Sequence, residues 1–184
     1  MEAFLVSVGI VAVGEIGDKT QLLAFVLAAR YGRPVPIILA IAAATLLNHA
    51  LAGMLGAWLR VAAEPGVLRW ALALGFFAMA AWALRPDKHD GQTPVAGRHG
   101  VFAVTLVAFF LAEMGDKTQV ATVALAAKYE ALAAVVVGTT VGMLIANVPV
   151  VLLAGRAAAR IPFRAVRYLA ALLFAATGVW TLAG

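Results

Sequence analysis

The chain has 184 residues, of which 64% are hydrophobic and only 12% charged, with a mean hydropathy of +0.98. Soluble domains run about half apolar and about a quarter charged, so this composition excludes an ordinary water-soluble globule and requires most of the chain to face lipid or its own helices. The formal net charge is +5 and there is no cysteine. The basic residues fall between apolar segments instead of along one stripe, which argues for membrane topology over nucleic-acid binding, and the missing thiols exclude disulfides and thiolate metal sites.

A membrane helix needs about 20 mostly apolar residues. Taken in chain order, six segments qualify as single continuous helices: residues 3–28, 34–59, 67–84, 100–127, 132–154 and 164–183. The first begins beside Glu2 and carries charges of its own, so no cleavable signal peptide is expected. Gly, Pro and charge mark the breaks: Tyr31-Gly32-Arg33-Pro34, Glu64-Pro65-Gly66, the stretch from Arg85 to His99, Lys128-Tyr129-Glu130, and Arg156 to Arg164 around Pro162. The polar run Pro86 to Pro94 reads as a linker. These segments predict one all-α membrane domain over 1–184, with a first repeat at 1–85, a linker at 86–99 and a second repeat at 100–184.

The two halves are related. Glu15-Ile16-Gly17-Asp18-Lys19-Thr20-Gln21 recurs as Glu113-Met114-Gly115-Asp116-Lys117-Thr118-Gln119, six of seven residues identical at an offset of 98. Ala28-Ala29-Arg30-Tyr31 matches Ala126-Ala127-Lys128-Tyr129, and Asn48 corresponds to Asn147. Apolar stretches resemble each other by chance, but a charged heptapeptide does not recur that way; this is an internal repeat. Three helices per repeat is an odd number, so the second repeat enters the membrane from the opposite side, the inverted architecture of many secondary transporters. One side then collects Arg30, Arg33, Arg85, Lys88, Arg98, Arg156, Arg160, Arg164 and Arg167, and the other only Arg60, Arg69 and Lys128. Nine against three places the linker in the cytoplasm and both termini outside.

Glu15 and Glu113 fall 12 to 13 residues into their segments, about 18 Å down at about 1.5 Å per residue, near the bilayer centre. One ionised Asp, Lys or Arg there costs about 2.5–3.5 kcal/mol on insertion scales, so six charged groups must turn inward, pair or bind something. On a continuous helix at about 100° per residue, Glu15, Asp18, Lys19 and Leu22 share one stripe, as do Glu113, Asp116, Lys117 and Val120. Gly17 and Gly115 would admit another backbone or a bend. Carboxylates suit hard divalent cations, and Thr20, Gln21, Asn48, Thr118, Gln119 and Asn147 could complete an oxygen-only shell. Four carboxylates and the charge-balancing Lys19 and Lys117 sum to −2, which one divalent cation neutralises. The competing reading is a set of buried ion pairs, with Glu15–Lys19 and Glu113–Lys117 in the favourable i, i+4 order. For a cation site, each lysine is expected to point away from the ion along its own half of the pathway.

The doubled E-x-G-D-K-T motif in the first and fourth of six predicted helices resembles the family of manganese/calcium–proton exchangers, and the resemblance covers essentially the whole chain. It implies export of Mn²⁺ or Ca²⁺ from the cytoplasm against protons, a bacterial plasma-membrane location, and Glu15, Asp18, Glu113 and Asp116 as ligands. The metal is then a transported substrate and no prosthetic group is expected; protons and the bilayer are partners, nucleic acid is not, and homo-oligomerisation is left open. Other classes compatible with the segments are an amino-acid-type exporter, which leaves the central acids unexplained, and a metal-dependent membrane enzyme, for which a symmetric duplication is unnatural. Among lesser features, His49 could carry protons but is expected to tie two helices by a hydrogen bond, and Gly138 and Gly142 form a small-residue face that packing within the chain explains as well as dimerisation does. Pro149 frees backbone carbonyls, and Trp58, Trp70, Trp82 and Trp180 read as interfacial anchors.

Overall fold

The structure, a computed structural model, describes residues 1–84, 100–154 and 163–183. The linker from 85 to 99 and the side chains of the basic cluster from Arg156 to Arg167, on which the linker reading and most of the basic asymmetry fall, lie outside the described residues. The described residues form eight helices and no strand: α1 (Glu2–Glu15), α2 (Lys19–Tyr31), α3 (Pro34–Ala62), α4 (Pro65–Ala83), α5 (Gly100–Glu113), α6 (Lys117–Lys128), α7 (Leu132–Leu153) and α8 (Phe163–Ala183).

The expectation of continuous helices over 3–28 and 100–127 is corrected. Each of those segments is two helices, broken inside the repeated motif at Ile16-Gly17-Asp18 and at Met114-Gly115-Asp116. The cause is local. Gly17 and Gly115 adopt φ of 85° and 72°, a left-handed conformation that ends a helix and that side chains with a Cβ resist. Asp18 and Asp116 then take up extended φ/ψ and cap the next helix, accepting from the backbone N–H of Lys19 and of Thr118. Four residues past each glycine, a glutamine closes the turn: Gly17 N–H donates to Gln21 Oε1 at 2.8 Å and Gly115 N–H to Gln119 Oε1 at 2.7 Å. An added Cβ at Gly115 would meet nothing within 4 Å, so Gly115→Ala probes the backbone alone. We expect that variant to lose about 1–2 kcal/mol of stability, read as a lowered thermal midpoint in detergent, whereas Gly9→Ala, in a helix with equally open space, should not.

Among the described residues, three helices are long and apolar enough to cross a membrane as single pieces, Pro34–Ala62, Pro65–Trp82 within α4, and Leu132–Leu153. The half-helices α1, α2, α5 and α6 are each about 18–21 Å long at about 1.5 Å per residue, well short of a hydrocarbon core of about 30 Å. Packing pairs the halves of the chain crosswise. Helix α1 lies on α7 and α5 on α3; α6 packs on α3 and α2 on α7; α3 meets α7 and α4 meets α8. Exchanging the two halves maps these pairs onto one another.

Small residues set the close approaches. A Cβ on Gly138 would stand 2.7 Å from the Phe4 carbonyl oxygen and one on Gly142 2.7 Å from that of Val8. The small-residue face of α7 is therefore occupied by α1 within this chain. Two apolar clusters flank the centre, one around Phe76, Met79, Leu125 and Phe174 and the other around Leu27, Ile37, Ile41 and Phe109. The exterior is apolar, with Leu39, Met54, Leu74, Leu111 and Leu172 more than half exposed, while carboxylates sit inside. That inversion of the soluble pattern is the arrangement a lipid solvent requires. All four tryptophans are at least partly exposed, and Trp180 also stacks under the Lys128 ammonium at 4.3 Å.

Candidate metal centre

Breaking each motif at its glycine gathers what a straight helix would spread along a stripe. Glu15 and Glu113 are the last residues of α1 and α5, and Asp18 and Asp116 are the caps of α2 and α6. All four are 0–1% exposed. Glu15, Glu113 and Asp116 each place a carboxylate oxygen within 4.8 Å of the others, so acids from both halves converge on one point. The carboxylates of α1 and α5 stand at helix C-termini, where the partial negative charge of the last carbonyls also favours a cation.

Each glutamate is positioned by its own motif. The Thr20 hydroxyl donates to Glu15 Oε1, and the Thr118 hydroxyl donates to Glu113 Oε2 at 3.0 Å. Asn147 Nδ2 donates to Glu15 Oε1 at 3.4 Å and to the Met143 carbonyl at 3.1 Å. One oxygen of each glutamate, Glu15 Oε2 and Glu113 Oε1, is buried without a hydrogen-bond partner among the described residues, as is Asn147 Oδ1. Buried polar atoms are normally satisfied, and these three bare oxygens, two of them on glutamates of the cluster, are acceptors that a proton donor or a cation would complete.

The remaining residues singled out from the sequence also lie here, but as braces. Gln21 Nε2 donates to the Ala146 carbonyl at 3.0 Å, one turn before Pro149, and its Oε1 holds Gly17. Asn48 Nδ2 donates to the Phe110 carbonyl at 2.9 Å, and its Oδ1 accepts from Gln119 Nε2 at 3.4 Å. These bonds lace α2 to α7 and α3 to α5 and α6, holding the two breaks against each other.

Two expectations are corrected. The lysines do not point away from the acids: Lys117 Nζ lies 2.6 Å from Asp18 Oδ2 and Lys19 Nζ lies 3.2 Å from Asp116 Oδ1. Each lysine crosses to the other half instead of pairing with the glutamate four residues earlier, because the break has moved that glutamate off its stripe. His49, expected to tie two helices, is fully buried with neither ring nitrogen hydrogen-bonded among the described residues.

The break was missed in the sequence, although a signal for it was present. Asp18-x-x-Gln21 and Asp116-x-x-Gln119 follow the pattern of a helix start, a capping residue with Gln three positions on, and each stands directly behind a glycine.

The chain is 50% identical over 175 residues to a Vibrio cholerae protein named "Putative manganese exporter", covering 95% of this chain and 87% of that one. It is 30% identical over 205 residues to a GDT1-like protein of Synechocystis sp., covering 98% of each. No solved structure matches. The profile of the family described as "Divalent cation/proton antiporter GDT1" matches residues 3–91 and 101–184, and the chain therefore belongs to that family of membrane cation transporters.

Proposed function

We propose that this protein is a secondary transporter that exports a divalent cation, Mn²⁺ before Ca²⁺, from the cytoplasm in exchange for protons. The observation that carries the reading is the meeting of Glu15, Glu113 and Asp116 within 4.8 Å, buried, with bare oxygens on both glutamates. An oxygen-only set of carboxylates suits Mn²⁺ and Ca²⁺ alike; the name of the Vibrio relative favours manganese. Metal and protons compete for the same oxygens, so a site exposed alternately to two sides exchanges one for the other, and protons neutralise it on the return. The metal ligands proposed are Glu15, Glu113 and Asp116 with Asp18 as the fourth acid of the centre, Thr20, Thr118 and Asn147 orienting the glutamates, and Lys19 and Lys117 balancing charge.

In this reading α1 with α2, and α5 with α6, each form one broken span, which makes six spans in one domain over 1–184. The two stretches matched by the family profile and the crosswise packing support two inverted repeats with the site where the breaks meet, as in other transporters with discontinuous helices. The basic asymmetry of the sequence supports a linker inside and both termini outside, and the Vibrio relative supports a bacterial plasma membrane. A reporter fused after Gly184 is expected to be active only outside the cytoplasm and one inserted at Gly91 only inside; the opposite pattern would reverse the orientation.

The functional test is cellular. A strain lacking the protein is expected to hold severalfold more manganese than its parent when challenged with the metal, and to stop growing at a lower concentration. Unchanged manganese content would argue against export.

A further inference from the structure

The two motifs are almost identical in sequence but are not in the same state. Lys117 and Asp18 form a sealed pair, with side chains 6% and 0% exposed and 2.6 Å between charges. Lys19 and Asp116 form an open one: the lysine side chain is 36% exposed and its Nζ stands 3.2 Å away. It is the acid of the open pair, Asp116, that shares the 4.8 Å cluster with Glu15 and Glu113; Asp18 does not join it.

We propose that Lys19 is a tethered cation that the transported metal must displace from Asp116, so that the metal is held by Glu15, Glu113 and Asp116 while Lys117 keeps Asp18 out of the ligand set. The proposal rests on reading the centre as a divalent-cation site. The physical case is a difference between two ion pairs. Breaking a buried pair strands an uncompensated charge in low dielectric, which is strongly unfavourable, so Lys117 stays with Asp18. In the Lys19–Asp116 pair only the lysine is partly exposed: its ammonium regains water when it leaves, its flexible stem lets it swing clear, and the buried Asp116 carboxylate it gives up is taken over by the metal. A divalent ion brings twice the charge of an ammonium to the same carboxylate and meets two further glutamates at once, each with a bare oxygen, so it wins at the open pair and not at the sealed one. Lys19 thereby fills the metal's place on Asp116 when none is bound, and adds a fixed penalty to binding.

The test uses the full chain in detergent at constant pH, with Mn²⁺ as the probe. Calorimetric titration measures binding, and an amine-reactive reagent read by mass spectrometry measures the exposure of each lysine. Saturating Mn²⁺ is expected to raise the labelling rate of Lys19 severalfold while Lys117 stays protected, and Glu113→Gln should abolish that rise. Lys19→Gln should bind Mn²⁺ about fivefold more tightly, the relief of one ion pair whose lysine is partly exposed. Labelling of Lys19 that is unchanged or lower, at Mn²⁺ concentrations the protein demonstrably binds, would overturn the proposal, as would weaker binding by Lys19→Gln. Should that variant fail to fold, labelling of the unaltered protein decides alone. Titration showing no Mn²⁺ binding at all would remove the functional reading itself, and this inference with it.

Discussion

Glu15→Gln and Glu113→Gln are each expected to lower Mn²⁺ transport by about 100- to 1,000-fold while the protein still inserts and folds. The substitution keeps the volume of the side chain and an oxygen that can accept from Thr20 or Thr118, so the local turn retains its bond. What disappears is the charge, together with one of the two bare glutamate oxygens. A divalent cation brought into this buried centre without its carboxylate partner loses a charge interaction that water cannot replace there. Thr118→Ala makes a graded control. It removes one hydrogen bond to a charged acceptor, worth about 1.5–3 kcal/mol, so it should weaken transport by about one to two orders of magnitude without ending it. Transport at normal rates by both glutamine variants, measured as metal uptake by vesicles with matched protein content, would mean that the convergence of the acids is structural.

Lowering the pH on the metal-loading side is expected to weaken Mn²⁺ binding by about tenfold per pH unit for each proton the metal must displace. The sign follows from the donor set. Carboxylates bind metal only when ionised, and Glu15, Glu113 and Asp116 offer no neutral nitrogen ligand that could substitute. A proton on a glutamate therefore blocks an oxygen, and a metal ion drives the proton off. Across a membrane the same competition works as coupling: protons entering from the acidic side empty the site of metal, and metal entering from the other side empties it of protons. A channel through the same residues would show pH-dependent block but no dependence of net metal movement on the direction of a proton gradient.

How far the sequence could be read depended on the range of each interaction. Lipid exposure is a bulk property, so composition alone identified a membrane protein, and the repeated charged heptapeptide located the centre because six such groups have nowhere else to go inside a bilayer. Glu15, Glu113 and Asp116 were legible as residues in this way, and the structure brings them together. Their mutual arrangement was not legible from a continuous 100° periodicity. That rule assumes unbroken helix, and one glycine at positive φ in each motif invalidates it. Once Gly17 and Gly115 turn the chain, each aspartate becomes a cap and the lysine beside it is redirected across the interface to the other half. Those ion pairs join residues about a hundred positions apart, and no local pattern encodes them.

His49 marks the opposite limit. Its burial could be anticipated from its place in an apolar helix, but the expected partner could not be tested from α3 alone, and the structure supplies none among the described residues. The small-residue face of Gly138 and Gly142 was equally open between self-association and internal packing. The backbone of α1 lies so close that a Cβ added at either glycine would stand 2.7 Å from the Phe4 or Val8 carbonyl oxygen, which decides it for packing against α1, since that surface is no longer available to a second copy.

The claim that metal and protons exchange through one carboxylate centre is tested most directly in liposomes containing the purified protein, a Mn²⁺ indicator inside and a pH dye reporting the lumen. With the lumen made acidic relative to the bath, external Mn²⁺ is expected to enter against its own gradient while the lumen loses protons, and reversing the pH gradient should reverse the metal flux; neither movement should occur with Glu15→Gln. Mn²⁺ entry that ignores the imposed pH gradient and moves no protons would contradict the account.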